Sequence, residues 1–345
     1  MPESRVTIND IARLSDVSIA TVSMVLNNRP GISQDTRNRV LEAAQNLGYT
    51  VKPIGLINRQ TRLTTLGMVV KSMGEDRPPQ NNPFYSKVIL GIEEACRRYG
   101  VNLLFSTLPV DEDNHPLEIP NLIVSGLADG LLLVGTFVDK TIATIMERCA
   151  HTLVLVDGYS TSERYDAVVS DNFRAAYQAV DYLIHKNHRH IAMVGGEPDA
   201  YPSLRERRNG YVRALKEHQL SGPYFVNFNI NKMKGYEETR QFLQSNPQVT
   251  AIFGINDDIA ITAMHAAQSL GKHVPGDISV IGYDDTFLAE NSQPRLTTMH
   301  VGTVSMGRAA VQLLALRLED QNAARMTLTI HPELVERESV VEARW

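Results

Sequence analysis

Cysteine is nearly absent from this chain, with two among 345 residues, Cys96 and Cys149, each inside a helical or apolar pattern. That number builds neither a disulfide framework nor a zinc-binding spacing, and it suits a reducing compartment. Long apolar runs are missing too, and none approaches the roughly 20 residues of a membrane span. The net charge is only −5, which argues against a protein that coats nucleic acid indiscriminately. Met1-Pro-Glu-Ser-Arg5 leads straight toward a capped helix, so no export signal is expected and the cytoplasm is the expected location. Gly-x-Ser-x-Gly does not occur, Gly271-Lys272 lacks the upstream glycine of a phosphate loop, and no nucleophile is set beside a base. The chain is therefore not expected to be an enzyme, nor to hold a metal or cofactor. His185-Lys-Asn-His188-Arg-His190 resembles a metal cluster on paper, but no acidic or thiol partner is near in sequence, and a surface helix end is expected there.

What is present is enough chain, 43% hydrophobic, for two or three cores. Charge is unevenly spread. Residues 1–63 carry eight Lys/Arg against five Asp/Glu, a net +3, which leaves −8 for the remainder of a chain that totals −5. A basic end on an acidic body suits a protein that presents one end to DNA.

Residues 7–28 read as two short helices around a tight turn. Thr7 is an N-cap with Asp10 as its capping-box partner, and Ile8, Ile11, Ala12 and Leu14 give the first helix an apolar face. Ser18 caps the second, whose inner face is Val22, Val25 and Leu26. Its outer face, Ile19, Ala20, Ser23 and Asn27, is small, hydroxylic or amide, with almost no charge. A solvated helix normally carries Glu and Lys there, whereas a helix that enters the major groove needs short side chains for base edges and phosphates. Ser33–Tyr49 reads as a third capped helix with Val40, Leu41, Ala44 and Leu47 inward.

From Leu66 onward strands and helices alternate. Strand-length apolar runs are Leu66–Val70, Val101–Phe105, Leu131–Val134, Leu153–Val156, Ile191–Val194, Tyr224–Phe228, Ala251–Ile255 and Ile278–Ile281. Between most of them lie stretches of helical period, such as Val88–Tyr99, Ala175–Lys186, Arg208–Gln219 and Ile259–Leu270. The alternation predicts doubly wound parallel sheets, two of about six strands each. Ligands of such sheets sit outside the carboxyl ends of the strands. Several strands here finish in polar residues, at Asp157, Asp171, Asn256-Asp257 and Asp284, and Arg207 starts a helix at the same edge. Asp, Asn and Arg converging on one crevice offer paired hydrogen bonds to a polyhydroxylated ligand. Singly, each such residue could equally cap the helix that follows it.

The first 50 residues resemble the headpiece of the lac-repressor/gal-repressor (LacI/GalR) family of bacterial regulators. The matching elements are Thr7-Ile-x-Asp-Ile-Ala12, Val17-Ser-x-Ala-Thr-Val-Ser23, Leu26-Asn27 and Ser33-x-x-Thr-Arg-x-Arg-Val-Leu-x-Ala-Ala-x-x-Leu-Gly-Tyr49. Farther on the resemblance is carried by Asn82-Pro-Phe-Tyr85, Ala128-Asp-Gly130, Val154-Leu-Val-Asp157, Asp171-Asn172, His188-Arg-His-Ile-Ala-Met-Val-Gly-Gly196, Arg207-x-x-Gly-Tyr211, Asn256-Asp257, Val274–Asp285 and Pro294-x-Leu-Thr-Thr298. It implies an α/β architecture: an all-α helix-turn-helix headpiece (1–50), a linker (51–63), and a periplasmic-binding-protein-like body (64–345) of two doubly wound parallel-sheet subdomains joined by three crossovers. The subdomains are expected at about 64–170 with 301–328, and 171–298 with 329–345.

The resemblance also assigns roles. Residues expected to meet DNA are Thr7, Ser18, Ile19, Ala20, Thr21, Ser23, Met24 and Asn27, with Leu56 as the apolar candidate for a wedge in the linker. Members often carry Arg where Met24 stands, and the usual hinge pattern is broken here at Lys52-Pro-Ile-Gly-Leu-Ile-Asn-Arg59. Residues expected to face the effector are Phe84, Tyr85, Asp171, Ser203, Arg207, Asn256 and Asp284. The expected function is a ligand-responsive, sequence-specific repressor of a sugar or related carbon-source operon. It would bind a palindromic double-stranded DNA operator as a homodimer and act without a membrane. Val340–Trp345 carries no heptad extension, so a dimer rather than a tetramer is expected. The alternative is a solute-binding protein built on the same body without a regulatory role.

Overall fold

A computed structural model describes residues 7–26, 31–47, 63–73, 79–111, 115–138, 152–160, 165–198, 200–228 and 235–343. The head and the body are taken separately.

In the head, α1 (Ile8–Ser15), α2 (Ile19–Leu26) and α3 (Gln34–Asn46) enclose a small core of Ile11, Ala12, Val22, Val25, Val40, Ala43 and Ala44. Each start has a side-chain cap. The Thr7 hydroxyl and backbone N–H both donate to Asp10 Oδ2 (2.7 and 2.9 Å), Ser18 Oγ accepts from the Thr21 N–H at 3.1 Å, and Ser33 Oγ accepts from the Thr36 N–H at 3.3 Å. Asp16 adopts a left-handed conformation (φ 52°) and closes α1, which is the tight turn. Two expected core residues are corrected: Leu14 is 54% exposed and Leu41 is 43% exposed. Each lies about 100° around its helix from a buried neighbour, beyond the edge of the apolar stripe, and Ala43 takes the place expected for Leu41. The Leu26 side chain lies outside the described residues.

The body holds two parallel sheets. The first comprises β1 (Thr65–Met73), β2 (Asn102–Val110), β3 (Gly130–Val134), β5 (Thr152–Val156), β7 (Asp166–Ser170) and β13 (Thr327–Ile330), in the order β13-β7-β5-β3-β1-β2. The second comprises β8 (Ile191–Val194), β9 (Tyr224–Val226), β10 (Ala251–Gly254) and β11 (Ser279–Ile281), in the order β11-β10-β8-β9. Two short pairs complete the described strands: β4 (Phe137–Val138) with β6 (Tyr159–Ser160), and β12 (Thr298–His300) antiparallel to β14 (Glu333–Val335). The second sheet thus has four described strands rather than about six; β12 pairs with β14 and meets the β11 edge only through isolated bridges, Ile281 with Thr297 and Asp284 with His300. Central strands such as Gly130-Leu-Leu-Leu-Val134 are buried throughout, as strands covered by helices on both faces must be.

The helices of the body are α4 (Pro83–Tyr99), α5 (Asn121–Val124), α6 (Asn172–His185), α7 (Pro202–Glu217), α8 (Gly235–Ser245), α9 (Asp257–Ser269), α10 (Phe287–Asn291) and α11 (Thr303–Glu319). α4 and α11 cross with their backbones in contact. A Cβ at Gly91 would meet the Val304 carbonyl, and one at Gly307 would meet the Val88 carbonyl, so only glycine fits at either position. The chain passes between the sheets after β7, along β12, and again after β13. The strand β13 pairs with β7 through Ile330, close to the edge expected at about 328. The ladder, not the local composition, sets that edge.

At the foot of β7 lies a buried ion pair. Arg317 Nε and Nη2 meet the two oxygens of Asp166 at 2.6 and 2.9 Å, and both side chains are almost wholly buried. The remaining guanidinium donors reach the carbonyls of Ala323 and Ala324 at 2.6 and 2.7 Å, and Asp166 also accepts from the Met326 N–H. One pair therefore sets the turn that feeds β13.

Candidate functional site

The carboxyl edges of both sheets face one cleft. From the second sheet, Pro202 at the first position of α7 fixes the helix start. Ser203 and Arg207, four residues apart, then share one face, and both are buried, Arg207 at 5% exposure. Arg207 Nε donates to Asn172 Oδ1 at 2.9 Å and Nη1 to the Ile255 carbonyl at 2.8 Å. Its plane lies 3.7 Å from the Tyr283 ring centre, and Nη2 is 3.1 Å from Asp284 Oδ1. That last contact has ion-pair distance without hydrogen-bond alignment, so Oδ1 of Asp284 is buried with no hydrogen bond. Burial pushes the Asp284 carboxyl up to about 7 against the pull of Arg207, and Asp257, Asp157 and Asp258 add to the rise. Asp284 stands at φ 107° and Asp285 at φ 54°, conformations that cost any residue but glycine and that collect at functional sites.

From the first sheet, Asn82 Oδ1 caps α4 by accepting from the N–H groups of Phe84 and Tyr85 at 2.9 and 3.1 Å. This holds both rings on the first turn, edge to face at 5.3 Å. The Tyr85 hydroxyl donates to Asp157 Oδ2 at 3.1 Å. Gly135 is obligatory beside it, since it has φ 69° and a Cβ there would come 2.5 Å from the Tyr85 oxygen. Burial lifts Asp157 to about 6, with Arg207, the Tyr85 hydrogen bond and Lys71 opposing. Burial likewise lowers Lys71 to about 8, opposed by Asp157. Lys71 Nζ lies 4.6 Å from the ring centre of Tyr201, the residue that precedes α7.

Phe84, Tyr85, Arg207 and Asp284 thus stand around one cluster, and Ser203 shares the Arg207 face of α7. Asn256 stands at the same edge but spends its Oδ1 on the Ile259 N–H at 2.9 Å, capping α9. Asp171 is likewise engaged as a cap. Its carboxylate caps α6 through the Arg174 N–H at 3.1 Å and pairs outward with His331 at 3.3 Å. An N-cap side chain folds back on its own helix, and the following Asn172 reaches Arg207 instead. Asn172, Lys71 and Tyr201 were not among the expected site residues, and Asp157 was expected only as one of the polar strand ends around the crevice. Of these, only Asp157 and Asn172 lay in stretches already singled out.

On the head, Ile19 (50% exposed) and Ala20 are open to solvent, while Thr21, Ser23 and Met24 are half-buried. The hydroxyls of Ser18 and Thr21 share a hydrogen bond at 2.9 Å, and Thr7 is engaged by Asp10. Asn27 and Leu56 lie outside the described residues. The three histidines of 185–190 diverge: His185 bonds Asp181, His190 lies 3.2 Å from the Tyr224 hydroxyl, and His188 is buried between Thr250 Oγ1 and the Val341 carbonyl, both 3.0 Å away. The helix end expected at the surface is therefore an anchor for the C-terminal segment at His188. Among the described residues no group of three or more His, Cys, Asp or Glu is placed to hold a metal ion, and no helix is long and apolar enough to cross a membrane.

Comparison with known proteins adds to this geometry. Residues 7–51 match the family described as bacterial regulatory proteins, lacI family, and residues 180–340 match a periplasmic binding protein-like domain. Over 339 residues the chain is 30% identical to the HTH-type transcriptional repressor PurR of Aliivibrio salmonicida (strain LFI1238), covering 97% of this chain and 98% of the relative. It is 31% identical over 313 residues to catabolite control protein A of Priestia megaterium, covering 90% and 91%. Among solved structures, the transcriptional regulator CelR–cellobiose complex matches with a TM-score of 0.67 at 26% identity, covering 97% of this chain and all of that one. A helix-turn-helix head joined to a two-sheet, ligand-binding body is thus shared along nearly the whole length, and the chain belongs to the lacI family of bacterial transcriptional regulators.

Proposed function

We propose that this regulator is a cytoplasmic repressor of a sugar or related carbon-source operon, released or engaged by a small polyhydroxylated effector, and that it binds a palindromic operator as a homodimer. The observation that carries the effector class is the buried Asp284 oxygen without a hydrogen bond, held beside the Arg207 fork and facing Tyr85 and Asp157. Acceptors with spare capacity, a guanidinium and a phenol suit vicinal hydroxyls, each of which both donates and accepts. The PurR relatives favour a purine as the competing class. The cellobiose complex of a structural neighbour favours the sugar.

A thermal-shift screen of the full chain against sugars, sugar acids, sugar phosphates and purines tests this, because a ligand at 100 times its Kd stabilises by about 2.7 kcal/mol. A shift with a neutral sugar is expected, and one confined to purines would overturn the sugar reading. Removal of residues 1–63 is expected to abolish DNA binding while retaining that shift. A solute-binding protein would lose nothing it uses.

For the head we propose 1–50 as the DNA-reading unit and 51–63 as its linker. One head with its linker, residues 1–63, carries only +3, so tight binding needs two heads on half-sites one helical turn apart or a multiple of it. Ile19, Ala20 and Met24 cannot donate paired hydrogen bonds to guanine, and they suit thymine methyls, with Ser23 beside them. Met24→Arg is expected to shift preference toward a G·C pair at one position per half-site in a binding-site selection, through a contact of about 1–3 kcal/mol. An unchanged consensus would put Met24 outside the groove.

A further inference from the structure

Two side chains cross the cleft in opposite directions, and they land on chemically identical targets. The Tyr201 hydroxyl, at the start of α7 on the second sheet, donates to the backbone carbonyl of Asp157 at 2.9 Å. Lys87 Nζ, on α4 against the first sheet, donates to the backbone carbonyl of Asp285 at 3.1 Å. Each acceptor belongs to an aspartate in the left-handed region (φ 46° and 54°) at the carboxyl end of a strand. An extended residue there would point its carbonyl along the sheet ladder. The left-handed turn instead presents it to the opposite subdomain.

One end of each crossing is braced by further contacts. Tyr201 meets Lys71 on one side and the Tyr159 ring on the other, edge to face at 5.6 Å. The Asp285 carboxylate takes Arg337 Nη2 at 2.6 Å and His300 Nδ1 at 2.8 Å. Those two residues flank the crossover pair β12 and β14. Asp285 is also the immediate neighbour of Asp284, so one two-residue turn joins the effector pocket, the Lys87 contact and the crossover strands.

We infer that Lys87 and Tyr201 are positioning residues that clasp the cleft through protein contacts of their own, so that closure does not depend on the effector alone. The inference takes the body to be ligand-responsive, as proposed above, but its test needs no ligand. A site assembled in only a fraction of molecules binds more weakly by that fraction. A protein-built clasp raises the fraction before any effector arrives. Its two donors act through the placement of Tyr85, Asp157 and Asp284.

Native-state hydrogen exchange of the full-length, ligand-free chain tests the clasp. The reporters are the amides that seal the cleft edge: Asp157 N–H to Val168, Tyr159 N–H to Thr136, and Asp284 N–H to Met299. In Lys87→Met, which keeps the stem and removes the donor, and in Tyr201→Phe, which removes one hydroxyl, these amides are expected to exchange about five- to tenfold faster. Lys87→Arg, which restores a donor, is expected to return to within about twofold of wild type, and amides of α9 are expected to be unchanged throughout. Wild-type exchange at the cleft edge in both Lys87→Met and Tyr201→Phe would overturn the clasp. Acceleration spread equally into α9 would overturn it too, since that marks general destabilisation. A failed effector screen would leave this result unaffected, so the two readings fail separately.

Discussion

Arg207→Met is expected to cost the body about 3–5 kcal/mol and to abolish any effector-induced shift, because it strips the cation from a buried carboxylate. Three elements meet at this one guanidinium: α6 through Asn172, the end of β10 through the Ile255 carbonyl, and the turn after β11 through Asp284. Methionine fills the stem and satisfies none of them. The loss should depend on pH in a defined direction. Asp284 already sits at about 7, above the roughly 4 of an unfolded aspartate. Its protonated form therefore favours the fold, and the stability it contributes is present at low pH and lost as pH rises through 7. Without Arg207 the carboxyl must rise further, so the deficit should be largest near pH 8 and shrink toward pH 5. Urea unfolding of both proteins at the two pH values measures this, and a deficit independent of pH would remove Asp284 as its source. Arg207→Met with Asp284→Asn should recover part of the loss at pH 8, since no buried charge is then left unpaired.

Arg317→Met is expected to be comparably damaging, by about 3–5 kcal/mol, although the wild-type carboxylate it pairs with responds to acid in the opposite sense to Asp284. Asp166 is wholly buried, and burial alone would raise its carboxyl. The hydrogen bonds from Arg317 and the Met326 N–H, with the charges of Arg317 and Arg325, outweigh that and hold it below the ordinary value. A lowered carboxyl contributes stability that is present above about 4 and lost as pH falls through its folded value. Removing Arg317 should erase that acid-labile contribution. The variant would then be weak at neutral pH and lose comparatively little more on acidification. Exchange at the β13–β7 ladder would locate the damage, since the same guanidinium holds the turn that delivers β13. A variant that retained wild-type stability at pH 7 would mean that the turn closes without the pair.

The two failures would report on different parts of what a sequence can express. Strands buried on both faces are legible as runs: Leu131–Val134 and Ile191–Val194 fall where the apolar pattern puts them. The edge strand β13 is not. Thr327-Leu-Thr-Ile330 is largely exposed and exists because β7 offers it a ladder. Nor is α11 announced by a stripe, since it is buried on several faces between α4 and the first sheet. In the cleft, Arg207 and Asp284 could be placed by their motifs, yet the choice between Asp171 and Asn172 could not. It turns on which of two adjacent side chains folds back to cap α6. Asp157 stood in view at a strand end, but its weight comes from a positive φ and from Tyr85, 72 residues away. Tyr201 and Lys87 reach partners 44 and 198 residues distant. No local pattern encodes either contact.

The order in which these parts leave the ribosome gives the C-terminal strands another meaning. The head's core draws on residues 8–47, so it is complete while most of the chain is still unmade. The body is closed from the other end. Its first sheet gains its outer strand only at residues 327–330, and its second is sealed when Ser339 pairs by backbone and hydroxyl with Val280. At about 5–20 residues per second, a nascent chain carries a finished head for roughly 15–60 s before either half of the body can close. A truncated product therefore carries a DNA-reading head on an unclosed body. With a single head too weakly charged to hold an operator alone, such fragments are poor competitors for it.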